Sequence, residues 1–376
     1  MPQQIPKTPC VIYDAASVVR RYELLRSYLD AAYPRSRIFY ALKACYVPLV
    51  VERLIHLGCG LEISSPSEQQ IAMRFGLSGG QIVWNGPGLD EVTLRGTVGR
   101  EEIVNIDSPH VFQVLSRIAQ ERGQEVRAGL RLNITGQGKL GVDPALAESL
   151  LQDSSRVRIV GFHFHPANGL KNPAEAQEQR YRFLDVLAGW ERTLGVNPEF
   201  VNLGGGFAIG EAPPVLLDSL VERVFALKSR PELFLEPGAY LVADAATAYA
   251  SVVALKTVAG ACWAILDIGA NFLVPLQRAG FTVQGTTPVP ALGRVSFGGP
   301  LCYEADVIAL EQRVGVCHGD IVKIERCGAY TASLCSNFAS SPPPIYWKDG
   351  DSIVEVAHHS ETYHDFLEFH GYLNRH

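Results

Sequence analysis

The chain has 376 residues, 47% hydrophobic and 19% charged, and a net charge of −6 from 33 Lys+Arg against 39 Asp+Glu. That balance fits a globular enzyme of two or three domains and argues against nucleic acid or an anionic membrane as the main partner. No uncharged apolar run approaches the ~20 residues that span a bilayer, the N-terminal MPQQIPKTPCVIYD lacks the apolar stretch of a signal peptide, and eight cysteines without a C-x-x-C pair read as reduced thiols of a cytoplasmic protein, not a disulfide scaffold or zinc site.

In chain order, CVIYD (10–14) reads as a strand that returns to a later β domain. From about residue 38 short apolar runs alternate with amphipathic stretches. The expected strands are IFYAL (38–42), GLEIS (60–64), QIVW (81–84), EIVNI (102–106), AGLRLN (128–133), RIVGFHFH (158–165), FVNL (200–203) and LFLE (233–236). Between the sixth and seventh of these lies AEAQEQRYRFLDVLAGWERTL, with Tyr181, Leu184, Leu187, Trp190 and Leu194 at helical spacing. Eight strands with helical connections predict a parallel (β/α)8 barrel of the TIM type. A doubly wound sheet is the weaker competitor, because its nucleotide glycines usually follow the first strand. After about residue 245 the texture changes to Val, Ile and Thr-rich segments (ATAYASVVALKTVAG, CWAILDIG, FTVQG, DIVKIERCG, SIVEVAHH) between glycine and proline turns, which predicts an antiparallel β domain. The expected organisation is residues 1–37 as an N-terminal segment packing partly on the β domain, 38–245 as the barrel and 246–376 as the β domain.

A barrel gathers its strand ends at one mouth, so residues distant in sequence can share a site. Lys43 follows the first barrel strand inside an apolar segment. It is either a snorkelling lysine or a Schiff-base lysine in a desolvated strand-end pocket. Gly204, Gly205 and Gly206 follow the seventh strand, where glycines make either a tight turn or a backbone cradle for phosphate. Glu236 ends the eighth strand and is either a rim ion-pair partner or the partner of a cofactor ring nitrogen. His163 and His165 stand two apart, on one face of a strand. That spacing can bind a metal, but no acidic or thiol partner stands at convincing spacing, so no metal is expected and a stacking or hydrogen-bonding role is favoured. Cys302, in GGPLCYEAD, is either an inert thiol or a reactive one, and Tyr330, in RCGAY, is either a core tyrosine or a hydroxyl donor.

Ten motifs in order, YALKA, LEISSPSE, VNIDS, LRLN, GFHFH, NLGGGF, EPG, LDIGAN, GGPLCYEAD and GAY, resemble the fold-type III pyridoxal-phosphate decarboxylases, the ornithine/diaminopimelate decarboxylase family, from Tyr40 to about Phe338. The resemblance implies the alanine racemase-like fold, with a cofactor barrel and a β domain. The racemase branch itself is disfavoured because it lacks the GPxCxxxD element. It implies that Lys43 carries pyridoxal 5'-phosphate, Glu236 pairs with its ring nitrogen, and His165 stacks on its ring. Gly204, Gly205, Gly206 and Gly238 would cradle the phosphate, and Tyr330 would add a hydroxyl. Glu62 and Arg131 fall where the family has an acid and an arginine near the cofactor, and Asn168 where it has a serine. Cys302 would return a proton to the substrate carbon after CO2 leaves, and Asp306, Glu304 and Tyr330 would face the substrate. In the family the Cys302 and Asp306 positions reach the site from a partner subunit, implying a homodimer with shared sites. The family's EPGR arginine is Ala239 here, its LDIGGG aspartate is Asn202, its KFG phenylalanine is Leu140, and its SNYN end reads SNFA. These departures mark a specialised decarboxylase, and GFHFHP with NLGGG and Asn202 resembles the branch that decarboxylates carboxylate-rich siderophore intermediates of the citryl-diaminopropionate type. The alternatives are a diaminopimelate, ornithine or lysine decarboxylase, and a non-catalytic regulator on the same fold.

Overall fold

The computed structural model describes residues 5–153, 156–167, 169–274, 281–286 and 293–357. The chain divides into two compact units, one of residues 22–43 and 54–240, the other of residues 1–21, 44–53 and 241–376. The barrel unit thus ends a few residues before the expected 245. The expected N-terminal segment is shared between the units, and residues 44–53 belong with the β unit.

The β unit begins with β1 (Cys10–Asp14). The barrel is the closed ring β2 (Ser36–Ala41), β3 (Gly60–Ile63), β4 (Ile82–Trp84), β5 (Ile103–Ile106), β6 (Val126–Arg131), β7 (Val157–His163), β8 (Phe200–Asn202) and β9 (Glu232–Leu235). Each strand is parallel to its neighbours, and β9 closes on β2 through Ser36↔Leu233 and Ile38↔Leu235. These strands are buried along most of their length, which is why they read as continuous apolar runs.

The helices start where the sequence tells them to. Ser65, Ser108, Asp143 and Asn172 each precede a proline, and each side chain accepts a hydrogen bond from a backbone N–H of the first helical turn. Such a cap satisfies an orphan donor, and the proline gives up an N–H that would find no partner there. The helix Pro173–Thr193 buries Ala176, Gln179, Arg180, Phe183, Leu184, Leu187 and Trp190. Tyr181 therefore lies off the buried stripe that its spacing had suggested, with its hydroxyl on Ser219 at 2.5 Å.

At the N-terminal end of the strands the barrel is filled by Phe39, Val83, Val160, Phe200 and Phe234. The Phe200 and Phe234 rings stack with centroids 4.6 Å apart and planes 9° apart. A Cβ on Gly161 would stand 2.5 Å from the Phe200 ring, so only glycine leaves room for it.

The β unit continues with β10 (Ala246–Val258), β11 (Ala261–Leu266), β12 (Thr282–Gly285), β13 (Val295–Gly298), β14 (Val307–Gln312), β15 (Ile321–Glu325), β16 (Ile345–Asp349) and β17 (Ser352–Ala357). The sheet order is β14-β13-β11-β10-β1-β16-β17, with β15 pairing with both β10 and β12. Most pairs are antiparallel, as expected, but β1 runs parallel to β16 and β11 parallel to β13. Residues 10–13 pair with 249–246, which places the N-terminal strand inside this sheet.

Candidate active site

The C-terminal ends of the barrel strands carry a continuous set of polar side chains. Lys43 sits in a single turn of 3-10 helix (Leu42–Ala44) just past β2 and is paired with Glu62, from β3. Glu62 is 1% exposed. Burial pushes its carboxyl up, against the downward pull of Lys43. Its Oε1 accepts from the Asn85 amide (3.2 Å), at the end of β4.

Glu236, just past β9, is 2% exposed. Its Oε1 accepts from Asn85 Nδ2 (2.8 Å) and Asn202 Nδ2 (2.6 Å). His163 Nε2 stands 3.2 Å from its Oε2, outside hydrogen-bonding alignment. Burial alone would raise the Glu236 carboxyl, but His163, Lys43 and the Asn85 amide overcome it and hold the carboxyl down at about 2. Glu236 is therefore a carboxylate at neutral pH. The two histidines are the reverse case. Burial lowers both imidazoles, His163 against the opposing pull of Glu236 and His165 to about 3 with help from the Arg131 guanidinium, so the His165 ring is neutral. The strand ends at His163, so His165 lies two residues past it, its Nδ1 3.0 Å from Pro166 O.

Between β8 and Glu236 the glycine loop packs tightly. Gly204 has φ +65, and a Cβ there would stand 2.6 Å from Phe164 O; one on Gly205 would stand 2.3 Å from Glu236 O. Side chains are thus excluded at two successive positions. The loop is tied to the strand ends by Gly204 N–H to Asn202 Oδ1 (2.9 Å) and Glu236 N–H to Gly204 O (2.9 Å). Arg131, 8% exposed, lies 3.4 Å from Asp107. Beside it a cavity of about 290 Å³ opens, lined by His165, Asn133, Lys139 and Leu140 among others. A larger cavity of about 560 Å³ lies at the other end of the strands. The two arginines on its rim are already engaged, Arg127 with Glu199 and Arg37 with Gly80 O.

Sequence reasoning missed Asn85 and Asn105. Asn105 Nδ2 donates to Asn85 Oδ1 (2.8 Å), which in turn aims the Asn85 amide at both carboxylates. The available signal was an amide interrupting an otherwise apolar strand, in VWN and VNI.

These residues fit pyridoxal phosphate. A primary amine stands ready for a carbonyl, an ionised carboxylate is held by two amides as a partner for a protonated ring nitrogen, and a side-chain-free glycine turn offers N–H groups to a phosphate. Residues 15–243 match the family model described as "Pyridoxal-dependent decarboxylase, pyridoxal binding domain". The chain belongs to the pyridoxal-dependent decarboxylases. Its cofactor is pyridoxal phosphate and its activity that of a carboxy-lyase. It is 26% identical to the diaminopimelate decarboxylase of Methanothermobacter thermautotrophicus over 393 aligned residues, covering 96% of this chain and 91% of the relative. The Aquifex aeolicus diaminopimelate decarboxylase is also 26% identical over the same shares. In fold, the chain matches the Helicobacter pylori diaminopimelate decarboxylase crystallised with L-lysine, with a TM-score of 0.86 at 23% identity over 97% of both chains.

Of the other residues expected in this decarboxylase's site, Asn168 lies outside the described residues, and Gly238 follows Glu236-Pro237 at the barrel mouth. Cys302, Glu304, Asp306 and Tyr330 belong to the β unit. Cys302 and Glu304 are exposed on the loop between β13 and β14. Asp306 departs from expectation. It is 5% exposed, and its two carboxylate oxygens accept from the backbone N–H groups of Ala270 (2.6 Å) and Leu301 (2.8 Å). A carboxylate spent in this way anchors the loop that displays Cys302 and Glu304 and is not itself displayed. Tyr330 has φ 55, a left-handed conformation unusual for a tyrosine, held by its N–H on Ala44 O (2.8 Å). Strain of this kind persists where the surroundings fix a side chain in one direction.

Proposed function

We propose that this enzyme removes a carboxylate from diaminopimelate, an α-amino acid whose far end is a second ammonium–carboxylate pair. The observation that carries this reading is the likeness along 96% of the chain to diaminopimelate decarboxylases. It reverses the order suggested by the sequence, in which a citryl-diaminopropionate conjugate came first: the relatives named above act on the free amino acid, and the departures at Asn202 and Ala239 bear on the cofactor end of the site.

In this reading the chain's residues divide the work as follows. Lys43 presents its amine, and Glu62 accepts the amine's proton. Glu236, ionised and clamped by two amides, holds a proton at the ring nitrogen. Pyridoxal phosphate, when bound, supplies the electron sink for the pair left on Cα when CO2 departs. His165, uncharged, offers a flat face that draws no electrons from that sink. The Cys302 thiol delivers the proton to Cα, and Glu304 receives the substrate's distal ammonium. A second subunit completes each site. The apolar residues that the β unit leaves exposed, Val253, Leu255, Val258 and Leu310, support such an interface.

The deciding assay is CO2 release from diaminopimelate, L-lysine, L-ornithine and a citryl-diaminopropionate conjugate, side by side. Diaminopimelate should lead by at least an order of magnitude in kcat/KM. A conjugate turned over better than diaminopimelate would restore the siderophore reading, and release from none of them would favour the regulator.

A further inference from the structure

Arg180 has no place in the work divided above, yet the helix Pro173–Thr193 carries it inward until it is 2% exposed. Its Nε–H donates to Leu203 O at 3.2 Å, and an Nη2–H donates to Gly205 O. Its Cζ lies 4.4 Å from the centroid of the Phe207 ring. Burial alone acts on the guanidinium's proton affinity, pushing it down to about 9, with no carboxylate acting to restore it. A buried cation held only by carbonyls and a ring face is costly. A fold that retains one without a protein anion among the described residues has reason to expect an anion from outside.

The geometry says where that anion sits. In a trans peptide the C=O and N–H point in opposite directions. With Gly205 O drawn onto Arg180, the Gly206 N–H of the same peptide faces away from the guanidinium. With Leu203 O drawn the same way, the Gly204 N–H faces away too, and Asn202 Oδ1 takes it. Among the described residues the Gly205 and Gly206 N–H groups have no internal acceptor. Ala239, at the start of the short helix Ala239–Val242, adds no charge.

We propose that Arg180 is the positioning residue and counter-charge of the phosphate subsite: from behind the glycine loop it fixes the Gly205–Gly206 peptide with its N–H outward, and its positive charge balances a phosphate dianion bound on the other face.

The test compares ligands with and without phosphate. Apoenzyme is titrated with pyridoxal phosphate and with pyridoxal, following absorbance, for the parent protein, Arg180→Gln and Arg180→Lys. Arg180→Gln should weaken pyridoxal phosphate by about tenfold or more, the scale of a lost charge-assisted contact, and pyridoxal by less than about twofold. Arg180→Lys, which keeps the charge, should recover most of the loss. If Arg180→Gln weakens both ligands equally, or neither, Arg180 is only a pin between helix and loop and the proposal fails. Should neither variant fold, phosphorus NMR of the unaltered holoenzyme decides. A resonance that stays dianionic through pH 6, about where a free phosphate monoester titrates, supports a balancing charge, and one that titrates as in water overturns it.

Discussion

At the N-terminal end of the barrel strands Phe39, Phe200 and Phe234 close the interior, with Arg37 lying 4.8 Å from the Phe39 ring centroid. At the C-terminal end of the same strands the buried positions are Glu62, Asn85, Asn105, His163, Asn202 and Glu236. The first set gains stability from apolar burial and needs no partner. The second set is costly to bury, and most of its members are tolerated because another member satisfies them; His163 makes no hydrogen bond within it. Asn105 orients Asn85, Asn85 and Asn202 clamp Glu236, and Glu62 meets Lys43. The contrast shows how one barrel separates the part that must fold from the part that must react. Substitutions at one end should therefore move stability, and those at the other end activity.

The largest effect should come from Lys43→Ala. Decarboxylation should fall by several orders of magnitude, and borohydride should no longer fix a pyridoxyl group to the chain. Thermal stability should change little, because Glu62, whose carboxyl burial already pushes up, takes a proton in place of its lost partner. A melting temperature that collapsed together with activity would erase the separation between the two ends.

Phe200→Ala is the mirror experiment. It empties the ring position stacked on Phe234 and facing Gly161. It should cost about 3–5 kcal/mol in denaturant unfolding, while the kcat of the protein that remains folded stays close to normal. A large fall in kcat without loss of stability would mean that the apolar end shapes the reaction after all.

Glu236→Gln sharpens the comparison within the polar end. It preserves shape and removes the charge that would hold a proton on the ring nitrogen. Activity should drop on the order of 10²-fold, the scale of losing one preorganised electrostatic partner. Since the Glu236 carboxyl is held at about 2, it is ionised throughout the working range, and the unaltered enzyme should show no activity limb from this group between about pH 5 and 9. Its depressed value also means that it contributes stability above the unfolded carboxylate pKa. That contribution is lost as pH falls from about 4.5 towards 2, so the variant should show a shallower acid limb there.

How much of this was legible in the sequence follows from the same contrast. The eight barrel strands could be read because strands buried on both faces are apolar runs between turn residues. Lys43 and Glu236 could be read because a charge at the end of such a run is conspicuous, whereas Glu62, inside its strand, was placed only by the family resemblance. Asn85 and Asn105 were missed because an uncharged amide in or just past an apolar strand is a faint mark until its partner is known. Arg180 was missed because a charge on a helix is ordinarily read as solvated; only its place on one stripe with Phe183, Leu184 and Leu187 could have marked it. Asp306 was read as a displayed acid because sequence order says nothing of which way a loop turns. The backbone N–H groups of Ala270 and Leu301 settle it inward.

The smallest effect is a pH dependence of the apoenzyme. His165 is held neutral by burial and by Arg131, with its imidazole near 3 against an ordinary value of 6.5. Between those values the unfolded chain binds a proton there that the native chain does not, so stability rises with pH across that window and falls as the solution is acidified. The slope from one such group is at most about 1.4 kcal/mol per pH unit. His165→Phe keeps a flat ring at the position and removes the titration. Its unfolding free energy, followed in urea from pH 6.5 down to about 4.5, should fall less steeply than that of the unaltered protein by up to one proton's worth. His163 titrates in the same direction for the same reason, so part of the slope should survive. A variant whose acid slope matched the parent's would mean that the His165 ring is already protonated in the native apoenzyme. The neutral face assigned to it at the polar end of the barrel would then have to be given up.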